Sequence, residues 1–150
     1  MNLPLRLLTP TDAGLAARFV AALIGELAPG FQPDLEAMTR TAQTLLATPA
    51  VTGLVASEDG HDVGLILLNE CAAIYAGGRF GEITELYVLP ERRSKGVARQ
   101  LVAGAVELAG KRGWTRLEVG APEQPTWART RAFYEREGFA EVGPRLKRSV

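Results

Sequence analysis

The sequence predicts a mixed α/β fold in a single domain, on three observations. The length of 150 residues is that of one ordinary domain, long enough to bury a core without staples. Hydrophobic residues make up 47% and charged residues 23%, the balance of a soluble globular chain. The elements read in the order β-α-α-β-β-β-α-β-α-β, without repeats, linkers or low-complexity runs.

Residues 3–8 form the first expected strand, and Thr9-Pro10-Thr11-Asp12 supplies the caps for a helix over 13–28. In that helix Leu15, Phe19, Leu23 and Leu27 recur every fourth residue, with Val20 and Ile24 beside them, which makes one apolar face. Arg18 and Glu26 interrupt the stretch and no basic start precedes it, so it does not read as a signal peptide. Pro29-Gly30 ends it. A second helix is expected over 34–47, capped by Asp34, with Leu35, Met38, Leu45 and Leu46 as apolar positions. Strands at 51–57 and 63–71 flank the turn Asp59-Gly60 and predict a hairpin. Gly77-Gly78 breaks the chain before a strand at 82–89.

A helix over 95–111 follows, with Val97, Leu101, Ala105 and Leu108 on one face and Gly113 as its stop. A short strand at 116–119, a loop marked by Pro122 and Pro125, and a helix over 126–137 closed by Gly138 come next. A last strand is expected at 139–142, then Gly143-Pro144 and a basic tail of Arg145, Lys147 and Arg148, read as a solubilising edge strand.

Composition excludes several functions. The 17 basic and 17 acidic side chains cancel, so no global field points to nucleic acid or an anionic membrane. Cys71 is the one cysteine and His61 the one histidine, so neither an internal disulfide, a zinc cluster nor a catalytic histidine pair is available. No uninterrupted apolar run reaches the length of a membrane span, and the expected address is cytoplasmic.

The most informative stretch is Leu86-Tyr87-Val88-Leu89-Pro90-Glu91-Arg92-Arg93-Ser94-Lys95-Gly96-Val97-Ala98. A strand runs into a loop that opens a helix, where free amide N–H groups and the helix dipole favour an anion. Gly96 lets backbone approach that anion, Ala98 keeps the first turn narrow, and Arg92, Arg93 and Lys95 add cations. The glycine spacing fits neither a Walker A loop nor a dinucleotide fingerprint.

This stretch resembles the acyl-CoA motif of the GNAT superfamily of N-acetyltransferases, Gln/Arg-x-x-Gly-x-Gly/Ala after Leu-Tyr-Val-x-Pro. Arg93, Gly96, Ala98, Leu86, Tyr87, Val88 and Pro90 match. Downstream, Phe133-Tyr134-Glu135-Arg136-Glu137-Gly138-Phe139 resembles the family's Phe-Tyr-Glu-x-x-Gly-Phe. Ser94 stands where many members have Gly, and Trp127 and Thr130 stand where Asn and Ala are common.

The resemblance implies a GNAT-like mixed, mostly antiparallel sheet flanked by helices, one domain spanning 1–150, with acetyl-CoA as cosubstrate and no metal. It implies cofactor contacts from Leu86, Tyr87, Val88, Arg93, Ser94, Lys95, Gly96, Val97, Ala98, Trp127 and Thr130, the strand segment meeting the two pantetheine amides. The acceptor it implies is a primary amine of a small molecule or peptide, with no nucleic-acid or membrane partner; a homodimer is compatible with the sequence.

An amine near the reference lysine value of ~10.4 must lose a proton before it attacks, and the leaving thiolate gains from receiving one. Tyr134 is the expected acid; Trp127, Thr130 and Tyr134 share a helix face, with Phe133 turned toward the core. Glu82 and Glu85 are the candidate bases, pointing oppositely in a regular strand unless a bulge alters the parity beyond about Leu86. Phe31, Met38 and Tyr75 either line an acceptor pocket or pack. A non-catalytic acyl-CoA sensor is the competing reading, separated from an enzyme by CoA release.

Overall fold

The computed structural model describes residues 2–143 and 145–150; Pro144, placed above in the break before the tail, lies outside them. In chain order the elements are β1 (Leu5–Leu7), α1 (Ala13–Leu27), α2 (Leu35–Leu46), β2 (Val51–Glu58), β3 (His61–Ala73), β4 (Gly78–Val88), α3 (Val97–Lys111), β5 (Leu117–Val119) and α4 (Ala128–Arg136). Single 3-10 turns occupy Pro10–Asp12 and Pro90–Arg92. The five strands form one sheet in chain order, antiparallel from β1 to β4, with β5 parallel to β4. A mixed, mostly antiparallel sheet flanked by helices is therefore what the chain builds.

Local chemistry sets the element ends. The Thr9 amide donates to Asp12 Oδ2 at 2.9 Å, which caps the 3-10 turn leading into α1 rather than α1 itself, and the Ala37 amide donates to Asp34 Oδ1 at 3.0 Å, which caps α2 as expected. Between β2 and β3, Asp59 and Gly60 take φ values of 51° and 79°, the left-handed pair that a two-residue hairpin turn requires.

Alternation along the strands divides the core. Leu54, Ile66, Leu68, Ile83 and Val88 pack with Val97, Leu101 and Ala105 of α3 on one face. Val55, Leu65, Leu67 and Tyr87 pack with Ala16 and Phe19 of α1 on the other.

The expected strand at 139–142 does not form, and the tail is not an edge strand. Phe139 is the segment's one anchor on the core, while Ala140, Glu141 and Val142 are exposed, Val142 at 74%. A strand needs apolar residues at alternate positions against the sheet, and this segment offers no second one. Ion pairs tie it down instead: Arg131 with Glu141 at 2.9 Å, and Arg145 with Glu82.

Candidate active site

β4 carries the centre of the site because its ladder with β3 slips once. Leu67 pairs with Glu85 and Leu68 with Ile83, leaving Thr84 as the extra residue of a bulge. Ile83 and Leu86 consequently both face α3. Glu82, opposite Asn69, and Glu85, opposite Leu67, then share the face toward α1 and α2. Opposite directions with a parity change only beyond Leu86 are therefore corrected: the bulge lies at Thr84 and brings the two carboxylates to one side.

Their environments differ. Burial pushes the Glu85 carboxyl above the usual carboxylate range, the Thr84 hydroxyl donating to it pulls back, and the nearby Glu82 charge raises it further. Glu82 is engaged by Arg145, and the Cys71 thiol lies 3.9 Å from its Oε2. Burial first, and Glu82 second, push that thiol above its ordinary value.

On the α3 side the sheet opens. β5 pairs with β4 only from Gly81 to Ile83, so residues 84–88 have no β5 partner. The Leu89 amide donates to the Val63 carbonyl at 2.9 Å. That bond sets the phase of the ladder: Tyr87 exchanges bonds with Leu65, while the main-chain groups of Leu86 and Val88 turn outward. A cleft of about 860 Å³ lies beyond them, running from Glu82 and Glu85 past Tyr134 to Gly96.

The loop at the cleft's far end is held in left-handed turns, Ser94 at φ 62° and Gly96 at 83°. The Gln100 amide bonds the Gly96 carbonyl at 3.1 Å, so the amides of Val97, Ala98 and Arg99 precede the first helical bond and face out of the helix start. A Cβ on Gly96 would meet nothing within 4 Å; the space before it is open.

Leu86, Tyr87, Val88, Arg93, Ser94, Gly96, Val97, Ala98, Trp127 and Thr130 all line this cleft together with Glu82, Glu85 and Tyr134. Lys95 alone of the cofactor and catalytic candidates does not. Arg93 lines it with its guanidinium already committed: Nη1 and Nη2 bond Glu26 of α1 at 2.8 and 2.7 Å, and Nε bonds the Val88 carbonyl at 2.9 Å. It also lies over the Tyr87 ring, 5.4 Å from its centre. Its side chain pins α1 to the end of β4.

Phe133 packs half-buried against the core, as expected, and Tyr134 is the more buried of the two at 9% exposure, with edge contacts to Phe133 and Phe139 at 5.3 and 5.4 Å. Among the described residues no fully buried side-chain oxygen lacks a partner, and no hydrogen bond ties the Tyr134 hydroxyl, so that hydroxyl opens into the cleft. Burial pushes its pKa up to about 12.

A second cavity of about 610 Å³ lies on the opposite face of β4, between the sheet and α1 and α2. It meets the cleft at Thr84 and Glu85, which line both. Phe31 and Met38 line it; Tyr75 does not, and instead lies 71% exposed against Phe80 and Arg116. Sequence reasoning missed Thr84, Glu26 and Arg145. Glu26 and Arg145 reach the site from 67 and 63 residues away along the chain, and no local signal marks them.

Among the described residues no group of three or more His, Cys, Asp or Glu is placed to hold a metal ion, and no helix is long and apolar enough to cross a membrane.

Residues 19–139 match the Acetyltransferase (GNAT) family. The chain is 33% identical over 131 residues to the aminoalkylphosphonate N-acetyltransferase of Salmonella typhimurium, covering 87% of this chain and 83% of that one. Its fold matches a ribosomal-protein-alanine N-acetyltransferase from Brucella melitensis biovar Abortus 2308 with a TM-score of 0.76 and 25% identity, over 99% of each chain. It also matches AAC(6')-Iy, solved in complex with the bisubstrate analogue CoA-S-monomethyl-acetylneamine, with a TM-score of 0.76 and 19% identity, over 100% of this chain and 99% of that one.

Proposed function

This chain belongs to the GNAT family of acetyltransferases, and from that premise we propose that residues 1–150 form one cytoplasmic N-acetyltransferase domain that moves the acetyl group of acetyl-CoA to a primary amine of a small molecule or peptide. One observation carries the reading. The edge of β4 beyond β5, with Leu86 and Val88 turned outward and the Val88 carbonyl accepting from Arg93 Nε, runs directly into the open amides of Val97, Ala98 and Arg99. The edge offers a pantetheine arm strand-like hydrogen bonds, and the helix start offers a pyrophosphate its N–H groups. The relative solved with a CoA-containing analogue supports the same cofactor.

The catalytic roles follow from position. Glu85, where the two cavities meet, takes the proton of the attacking ammonium, directly or through water; its raised pKa suits a base working near neutrality. Glu82, held by Arg145, is the weaker candidate for that task. The amine nitrogen attacks the thioester carbonyl, a main-chain N–H of the opened strand stabilises the developing oxyanion, and the C–S bond breaks. Tyr134 gives its proton to the departing thiolate; with a pKa near 12 it is protonated throughout the working pH range. Trp127 and Thr130 flank the cofactor on α4, and Ser94 and Val97 shape the loop.

The experiment has two readouts. Acetyl-CoA at a hundredfold excess over its Kd should stabilise the fold by about 2.7 kcal/mol and raise Tm. CoA should then be released when a primary amine is added. Binding without release for every amine class tried would make the protein an acyl-CoA sensor, and no Tm shift would remove the cofactor assignment.

A further inference from the structure

The groove between the sheet and α1 and α2 differs in chemistry from the cleft it meets. Its apolar walls include Val20 of α1, Phe31 of the connecting loop, Met38 and Leu45 of α2, and Leu67 of β3, interrupted by the polar side chains of Gln32, Thr41, Asn69 and Thr84. No Lys or Arg is among its described lining residues, and two carboxylates are: Asp34 and Glu85. Asp34 is occupied as the α2 cap, accepting from the Ala37 amide at 3.0 Å. Glu85, which accepts from the Thr84 hydroxyl, is the carboxylate at the inner end, where groove and cleft join.

An anion placed here would meet carboxylates and no counter-charge. A second ammonium or a row of hydroxyls would exchange water for a mostly apolar lining in which Gln32, Thr41, Asn69 and Thr84 are the uncharged polar side chains, at a cost of roughly 1–3 kcal/mol for each group left unmatched. A single ammonium directed at Glu85, carrying an alkyl or aryl body, sets its charge at the inner carboxylate and its body along the apolar part of the lining. At about 610 Å³ the space falls within the range of small-molecule pockets.

We infer that the acceptor is an apolar primary monoamine, an alkylamine or arylalkylamine, bound ammonium-first toward Glu85 with its body along Val20, Phe31, Met38, Leu45 and Leu67. The inference rests on the acetyltransferase reading and specifies its acceptor. Peptide amines are disfavoured because their flanking amides would lie against the same apolar walls.

The test measures kcat/KM at saturating acetyl-CoA for the n-alkylamines from propyl to hexyl, phenethylamine, 2-aminoethylphosphonate, spermidine and a tripeptide beginning with Leu. Each added methylene should raise kcat/KM about three- to fourfold, the increment for burying one such group. Phenethylamine should rank with the longer alkylamines, and the phosphonate, spermidine and tripeptide should fall at least about tenfold below hexylamine. Met38→Lys, which adds a cation to the wall, should flatten the alkyl series while the Tm shift caused by acetyl-CoA stays as in the parent. Leu45→Gln, at a position already 46% exposed, repeats the test where the fold tolerates a polar side chain. A flat alkyl series, or preference for the phosphonate, spermidine or the tripeptide, would overturn the inference and leave the acetyltransferase intact. Acetyl-CoA binding with CoA released by none of these amines would overturn it as well. Absence of any acetyl-CoA shift would instead strike the cofactor reading beneath it.

Discussion

The two sides of β4 present different chemistry to a ligand. Toward α3 and α4 the chain presents main chain: the outward groups of Leu86 and Val88, the amides of Val97 to Arg99, and a loop kept open by Gly96 at φ 83°. Toward α1 and α2 it presents side chains, mostly apolar, ending on Glu85. Recognition by main chain depends on strand splay and loop shape, and few residue types fulfil it. Recognition by side chains changes with every substitution. A shared cofactor suits the first design and an acceptor particular to one enzyme suits the second.

Substitutions on each side should separate the two. The largest effect is expected at the junction. Glu85→Gln removes the proposed base and should lower kcat by about a hundred- to ten-thousandfold, the usual range for general bases, while the Kd of acetyl-CoA changes little. In the parent, activity should rise with pH through the elevated pKa of Glu85, because only the carboxylate accepts a proton. That acid limb should vanish in the variant. Stability carries the opposite sign. A carboxyl whose folded pKa is raised supports the fold below its unfolded pKa and loses that support as pH rises through the folded value. Glu85→Gln should therefore raise Tm relative to the parent above that pH and not below it, measured by thermal melts across pH.

Tyr134→Phe keeps the ring and its edge contacts with Phe133 and Phe139. In single-turnover assays the rate should fall about ten- to a thousandfold, with KM for acetyl-CoA nearly constant, since the lost interaction belongs to the transition state. A parent-like single-turnover rate would leave Tyr134 as a packing residue. On the cofactor side alone, Gly96→Asp forces a side chain into a left-handed position and sets a negative charge before the helix start. CoA affinity by calorimetry should drop at least about tenfold, with circular dichroism and the ranking among amines preserved.

The smallest effect is expected where α1 is pinned to the loop. Arg93 and Glu26 are 41% and 36% exposed, so Arg93→Ala should cost only about 0.5–1 kcal/mol in denaturant melts. The hydrogen bond from Arg93 holds the Glu26 carboxyl below its usual range. That contribution is present above the unfolded carboxylate pKa and lost as pH falls through the folded one. The difference between parent and variant should shrink on acidification.

The same contrast explains what could be read in the chain. The caps at Asp12 and Asp34, the Asp59-Gly60 turn and the loop glycine are local, and short-range chemistry announces each. The left-handed loop before α3 is legible for that reason. The bulge at Thr84 was misplaced because register is settled by pairing with β3, a partner that local pattern does not reveal. The bond from Arg93 to Glu26 has no local signal, because the two lie 67 residues apart along the chain. The absent last strand failed for a related reason: Phe139 looked like the start of an alternation that Glu141 and Val142 leave in solvent. The groove was visible only as scattered apolar positions, Phe31 and Met38 among them, until α1 and α2 brought them over Glu85.

Amide hydrogen exchange with and without saturating acetyl-CoA tests the division of β4 most directly, because it reads main chain segment by segment. Protection is expected over residues 86–88 and 94–99, with α2, Leu35–Leu46, exchanging as in the free protein. Protection centred on α2, with residues 86–99 unchanged, would contradict it and move the cofactor to the other face of the sheet.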